Sequence, residues 1–269
     1  MIISPVDVVG KTVLLTGASA GLGPHIARRL ARGGARFILS ARNEDALRSL
    51  AGKLGDARVI AADLSHPGEQ ERLAAEAGAV DILIANAGIP ATGRLATFTI
   101  EQIDRALAVN LRAAIVLARM LTPAMVERKA GHVVFMASIA GKVPVEGETL
   151  YSATKFGLRG FGLALREELW GTGVGVSVIN PTFVSESGMW AVTGLKPNPV
   201  AGEVSPAQVA DAVWKAITRN KADVDVAPVQ LKATLKVQAL SPGLFASTAR
   251  ALGATRPNDE LDQRQRDKR

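Results

Sequence analysis

The sequence predicts a three-layer α/β/α fold built on a doubly wound, seven-stranded parallel sheet, and three observations point there. Short β-branched or aliphatic runs alternate with longer amphipathic segments from Lys11 onward, the pattern of successive βαβ units. A glycine-rich turn directly follows the first of these runs and opens a helix. No internal repeat and no Pro/Gly/Ser-rich linker divides the 269 residues, so a single domain spanning 1–269 is expected.

Strands are expected at 12–16, 36–40, 58–61, 81–85, 132–137, 175–179 and 223–227. Helical patterns fall between them at about 23–33, 43–54, 68–77, 99–129, 151–171 and 206–220, with capping signals at Asn43, at Thr99 and at Ser205 before Pro206. Right-handed crossovers then place helices on both faces of the sheet. The least regular stretch, 181–204, is about two dozen residues without a clear period, and a loop that long in a compact domain is usually functional; it is expected to face the substrate. Beyond 227, "VQLKATLKVQALSPGLFASTARALG" alternates like a strand at first, yet Lys232 and Lys236 sit one helical turn apart. Two short helices broken at Pro242 are expected there.

Composition narrows the function. With 48% hydrophobic residues there is ample material for a core, and no apolar run approaches the roughly 18 residues of a membrane span, so no integral membrane segment is expected. The N-terminus has no basic flank before its apolar residues, which argues against a secretory leader, and a cytoplasmic location is the default expectation. Without cysteine there is no disulfide, zinc-thiolate site or thiol nucleophile. A net charge of +7 invites a nucleic-acid reading, but the basic residues are scattered. The one dense cluster, within a polar tail at 251–269 expected to be flexible, mixes both signs, and the single tyrosine offers little stacking surface. Nucleic acid is therefore not an expected partner; a small-molecule substrate is. His25, His66 and His132 show no ligand spacing, so no metal is expected, and no G-x-S-x-G elbow suggests acyl transfer.

In "TVLLTGASAGLG", Gly17, Gly21 and Gly23 stand between a strand and a helix that starts near Pro24. Glycine lets the backbone approach a pyrophosphate, and a helix N-terminus offers it unpaired N–H groups, so a Rossmann-type dinucleotide-binding turn is expected, with Ser19 and Leu22 also among the expected cofactor residues; the alternative is a tight strand-to-helix turn that holds no ligand. The second strand ends in Ser40 and Ala41 with Arg42 following. An acid there would bind the adenosine ribose of NAD, whereas an arginine can pair a 2′-phosphate through parallel charge-assisted bonds and Ser40 can add a contact. NADP (NADPH) is preferred, with NAD possible if Glu44 or Asp45 reaches the ribose instead.

The densest chemistry lies at 138–155. Tyr151 and Lys155 stand one helical turn apart, and Ser138 ends the apolar run "HVVFMA" at the carboxyl end of a strand, where open α/β sheets bind ligands. A carbonyl reduction needs a hydride donor, a proton for the developing alkoxide and donors aimed at that oxygen. Tyr151 would be the acid for reduction and base for oxidation, Lys155 the cation that favours its phenolate, and Ser138 a donor to the substrate oxygen.

Together Thr16-Gly17-x-x-x-Gly21-x-Gly23, Asp63-Leu64, Asn86-Ala87-Gly88, Asn110, Ser138, Tyr151 and Lys155 resemble, in order and spacing, the short-chain dehydrogenase/reductase family over roughly residues 10 to 225. The resemblance implies that Asp63 and Leu64 border the adenine and that Asn86, Ala87 and Gly88 continue the cofactor cleft. It further implies that Lys155 bonds the nicotinamide ribose and that Asn110 interrupts its helix to hold a proton-relaying water. A homodimer or homotetramer packed through the helices near 99–129 and 151–171 is implied as well. The chain departs from the family after its sixth strand: Pro181 is followed by Thr182 where glycine is usual, and Glu186 stands where threonine is usual. Carboxamide contacts would then come from Val184 or Ser185. Phe183, Met189 and Trp190 make the loop apolar, which favours a lipophilic ketone or alcohol if they do not simply pack on the domain. A 3-oxoacyl thioester is the second substrate reading, and a non-catalytic NADP sensor the alternative of a different class.

Overall fold

The computed structural model describes residues 7–191, 193–194, 202–241 and 243. Its main sheet holds seven parallel strands: Thr12–Thr16 (β1), Arg36–Ala41 (β2), Ala57–Ala61 (β3), Ile82–Ala85 (β4), Gly131–Met136 (β5), Val174–Pro181 (β6) and Asp223–Val226 (β9). Their spatial order is β3-β2-β1-β4-β5-β6-β9, so the direction of winding reverses between β1 and β4. In such sheets the crossovers diverge at the reversal and open a crevice at the carboxyl ends of the strands.

Alternation along each strand decides which layer a residue joins. Leu15, Leu39, Ile84 and Val134 pack under Gly23–Ala31 (α1), Glu44–Leu54 (α2) and Pro206–Thr218 (α8). Their neighbours Leu14, Ile38, Leu83 and Val133 face the other way, under Glu69–Ala77 (α3), Ala113–Glu127 (α5) and Thr149–Glu168 (α6). The caps expected from the sequence are in place: Asn43 accepts from the Ala46 N–H, and Thr99 and Ser205 form reciprocal boxes with Gln102 and Gln208.

Ile100–Leu107 (α4) runs through a π-helical turn at Ala108–Arg112 into α5. By length and composition Ile100–Glu127 could cross a membrane, but half of its apolar window is buried inside the protein, as in a core helix. The irregular stretch after β6 holds three small elements that have no readable period: Phe183–Val184 (β7), Gly188–Ala191 (α7) and Glu203–Val204 (β8), with β7 pairing parallel to β8. After β9, Val229–Leu240 (α9) is a helix, as the lysine spacing indicates, not a strand. The second helix expected after Pro242, the tail at 251–269 and positions 192 and 195–201 of the loop lie outside the described residues.

Candidate active site

One cleft of about 1170 Å3 opens over the carboxyl ends of the strands at the reversal point. The turn from β1 to α1 forms one rim. Gly17 holds φ +63° and a Cβ there would lie 2.8 Å from the Ala87 Cα, so only glycine lets the two loops touch. Gly21 is left-handed too, at φ +58°. No side chain caps α1, which begins at Gly23 with Pro24 in its first turn, so the helix's positive end is left without a partner of its own. Gly17, Ser19, Gly21 and Leu22 line the cleft; Gly23 lies behind them.

At the end of β2, Ser40 and Arg42 line the same cleft. The Ser40 hydroxyl is buried with no hydrogen-bond partner. Asp63 and Leu64 follow β3 onto the wall, with Asp63 accepting from both the N–H and the hydroxyl of Ser65. Those bonds and the nearby Arg42 charge outweigh burial, holding the Asp63 carboxyl below the usual carboxylate range. Asn86, Ala87 and Gly88 leave β4 along the cleft floor. Asn86 spends its side-chain N–H groups on Thr16 O (3.0 Å) and Gly17 O (3.1 Å), so it ties the two loops to each other.

The other half comes from β5, α6 and β6. Ser138 lies just past β5, accepting from the Ala140 N–H at 3.2 Å and reaching Pro181 O at 3.4 Å. Its hydroxyl lies near enough to the Tyr151 phenol to favour the phenolate. Lys155 is 4% exposed and donates to Met136 O at 2.9 Å, with its Nζ 5.6 Å from the centre of the Tyr151 ring. Burial lowers the Lys155 ammonium to about 8. The Tyr151 phenol corrects a simple expectation. A neighbouring lysine alone should pull its pKa down, yet burial first, and then the charge of Glu148, push it well above that of free tyrosine, and the nearby Ser138 hydroxyl recovers only part. Asn110 is buried in the π turn rather than on the cleft wall. Its amide clasps Ile89, accepting from the N–H at 2.7 Å and donating to the carbonyl at 3.0 Å, and so anchors the segment after Gly88.

Pro181 and Val184 line the cleft, as does Thr182. Ser185 does not: its N–H and hydroxyl both turn to Val204 O. Ser187, which sequence reasoning passed over, lines the cleft instead, with a buried hydroxyl that has no partner. Glu186 points away, exposed at φ +63° and close enough to His25 for its charge to be felt there. Phe183, Met189 and Trp190 line the cleft, and the Phe183 and Trp190 rings also pack on each other at 4.2 Å, so the loop residues face the cleft and the domain together. Glu148 is a second residue on the wall that motif reading missed, because a lone acid between strand and helix carries no signal of its own. Among the described residues no group of three or more His, Asp or Glu is arranged to hold a metal ion.

Comparison with known proteins gives consistent results. Residues 11–197 match the family model described as short chain dehydrogenase. Ketoacyl reductase HetN of Nostoc sp. is 38% identical over 248 residues, covering 89% of this chain and 86% of that protein. Among solved structures, a short-chain dehydrogenase from Sphingobium yanoikuyae in complex with NADPH superposes with a TM-score of 0.77 at 28% identity, covering 88% of this chain and 95% of that one. The closed form of a serine dehydrogenase complexed with NADP+ superposes with a TM-score of 0.73 at 31% identity, covering 81% and 95%.

Proposed function

The chain belongs to the short-chain dehydrogenase family, and from that membership we propose that it is an NADP(H)-dependent oxidoreductase interconverting a carbonyl and a secondary alcohol of a lipophilic small molecule. The observation that carries this reading is the convergence of Ser138, Tyr151 and Lys155 on the cleft that the glycine turn also lines. The cleft suits a dinucleotide: Gly17 lets the glycine turn close against Ala87, the N-terminus of α1 is uncapped, and the Ser40 and Ser187 hydroxyls lack partners. Ser40 and Arg42 would meet a 2′-phosphate, which favours NADP over NAD, and two of the solved neighbours are named as complexes with NADP+ or NADPH.

A bound nicotinamide supplies the hydride in reduction and accepts it in oxidation. The protein's own groups handle the proton. Tyr151 gives its phenolic proton to the carbonyl oxygen as that oxygen becomes an alkoxide, and takes it back in oxidation. Ser138 donates to the same oxygen and steadies the growing charge. The raised pKa of Tyr151 keeps the phenol protonated, ready for reduction, and Lys155 opposes the negative charge left on it. Asn110 fixes the backbone at Ile89 and, by family analogy, would hold the water that refills the proton through Lys155. The apolar wall of Val143, Met189, Trp190 and Leu231 suits a lipophilic substrate. A 3-oxoacyl thioester is the second reading, favoured by the ketoacyl reductase among the relatives.

NADPH and a carbonyl panel, followed by loss of the reduced nicotinamide absorbance, test the reading. Turnover should fall about 10²–10⁴-fold in Tyr151→Phe while NADPH still binds. Turnover that survives the substitution rejects the mechanism, and NADPH binding without turnover on any carbonyl favours a sensor.

A further inference from the structure

The proton-transfer scheme leaves one ionisable cleft residue unused. Glu148, Tyr151 and Lys155 recur at i, i+3 and i+7, the spacing of one helical face, and all three line the cleft. Glu148 immediately precedes α6, in the position from which side chains cap helices, yet it makes no capping hydrogen bond. Its backbone is occupied in the turn, donating to Val145 O at 3.1 Å and accepting from the Ser152 N–H at 2.6 Å. Among the described residues no hydrogen bond or ion pair meets its carboxyl, and burial alone raises that group to about 7. Arg105 lines the cleft from α4 without acting on it. Its charge is felt at the Tyr151 phenol, which stands three residues on along the same helical face and lines the same cleft.

A carboxyl that gives up water to a bound molecule must receive a hydrogen bond in return, or the exchange is costly. With no helix cap and no ion pair holding it among the described residues, the half-buried Glu148 carboxyl faces the cleft as an acceptor that a bound molecule can use in place of water. Resting on the carbonyl-reducing reading, we propose that Glu148 is a specificity-determining residue whose carboxyl accepts a hydrogen bond from a hydroxyl or amino group next to the substrate's reacting carbonyl. The favoured substrates are then α-hydroxy or α-amino ketones on an apolar frame, with the matching diols or amino alcohols in the reverse direction. Protonated or ionised, the carboxyl retains an acceptor oxygen, so the selection holds on both sides of neutrality.

Two probes of nearly equal shape test it: 2-hydroxyacetophenone, and propiophenone, in which a methyl group replaces the hydroxyl. Their dissociation constants are measured by calorimetry on the protein saturated with NADP+, and kcat/KM with NADPH is measured alongside. The wild type should prefer the hydroxy ketone by about tenfold or more, in line with a hydrogen bond to an ionisable group. In Glu148→Leu the hydroxy ketone should weaken and propiophenone tighten, erasing the preference, whereas Glu148→Gln, which keeps an acceptor, should retain most of it. Three results would overturn the proposal: a wild type that binds the two ketones equally or not at all, a Leu variant with unchanged preference, or parallel weakening of both ketones. The last would mean that Glu148 acts only through Tyr151 or the local fold. A wild type that binds with the expected preference but reduces neither ketone would refute carbonyl reduction and leave the Glu148 contact standing.

Discussion

The proposed preference for NADP rests on Arg42 and Ser40 and on what their neighbours are already doing. Asn43 caps α2, which makes Glu44 and Asp45 first-turn residues of that helix, and Glu44 is further engaged by Arg48. Neither acid is therefore a ready partner for an adenosine ribose, while Arg42 and the unpartnered Ser40 hydroxyl line the cleft. A charge-assisted hydrogen bond contributes about 1.5–3 kcal/mol, or roughly ten- to a hundredfold in affinity. Arg42→Glu should accordingly raise the NADPH dissociation constant at least tenfold, while NADH binding stays the same or improves. Nicotinamide fluorescence titration with both cofactors checks this, and equal loss for the two would remove Arg42 from phosphate recognition.

At the scale of the element, β5 carries both the site and a liability. It delivers Ser138 to the cleft, and near its other end it buries His132 completely. Ser177 donates its hydroxyl to Lys221 O at 2.6 Å, so it accepts from His132 Nε2–H at 2.8 Å, leaving Nδ1 unprotonated and without a partner. Burial, with the Arg166 charge nearby, lowers the imidazole to about 3. The native state thus refuses a proton that an unfolded histidine takes up near pH 6.5. Stability is complete above that value and drains as pH falls from about 6.5 toward 3, by on the order of 1.4 kcal/mol per unit for this group. Urea unfolding from pH 7.5 to 4.5 should show a steeper loss in the wild type than in His132→Gln, and equal slopes would refute it. His132 also shows where sequence reading stops. The strand itself was legible to within a residue because its apolar run is continuous, as was the glycine turn, and the placing of Ser138, Tyr151 and Lys155 on one cleft follows from their spacing along the chain. The proton state of His132 depends on Ser177 and Lys221, far away in the chain. Ser187 and Glu148 reach the cleft through a short irregular loop and a helix start, and two-residue strands such as β7 and β8 have no period to read.

For the whole molecule, the question is what covers α4, α5 and α6 on the side away from the sheet. Ile100 is 69% exposed, Leu107 37%, Met120 43% and Phe156 40%, and these residues sit on the helices that family resemblance assigns to subunit contact. Single exposed apolar side chains are ordinary, but with Ile100 and Leu107 on α4, Phe156 on α6 and Met120 on α5 beside Ala74 and Ala75, each gains about 1.5–3 kcal/mol if a second copy buries it fully. Because α6 also carries Tyr151 and Lys155, association through this face would stiffen the helix to which the proposed proton transfer is assigned. The expected outcome in sedimentation is a dimer or tetramer at working concentration. Met120→Glu with Phe156→Glu should shift it to monomer, because each added charge would have to be desolvated at the contact. Both substituted positions point away from the sheet, so NADPH binding should persist in the variant. A wild type that sediments as a monomer, or a double variant that keeps the oligomer, would rule this face out as the contact.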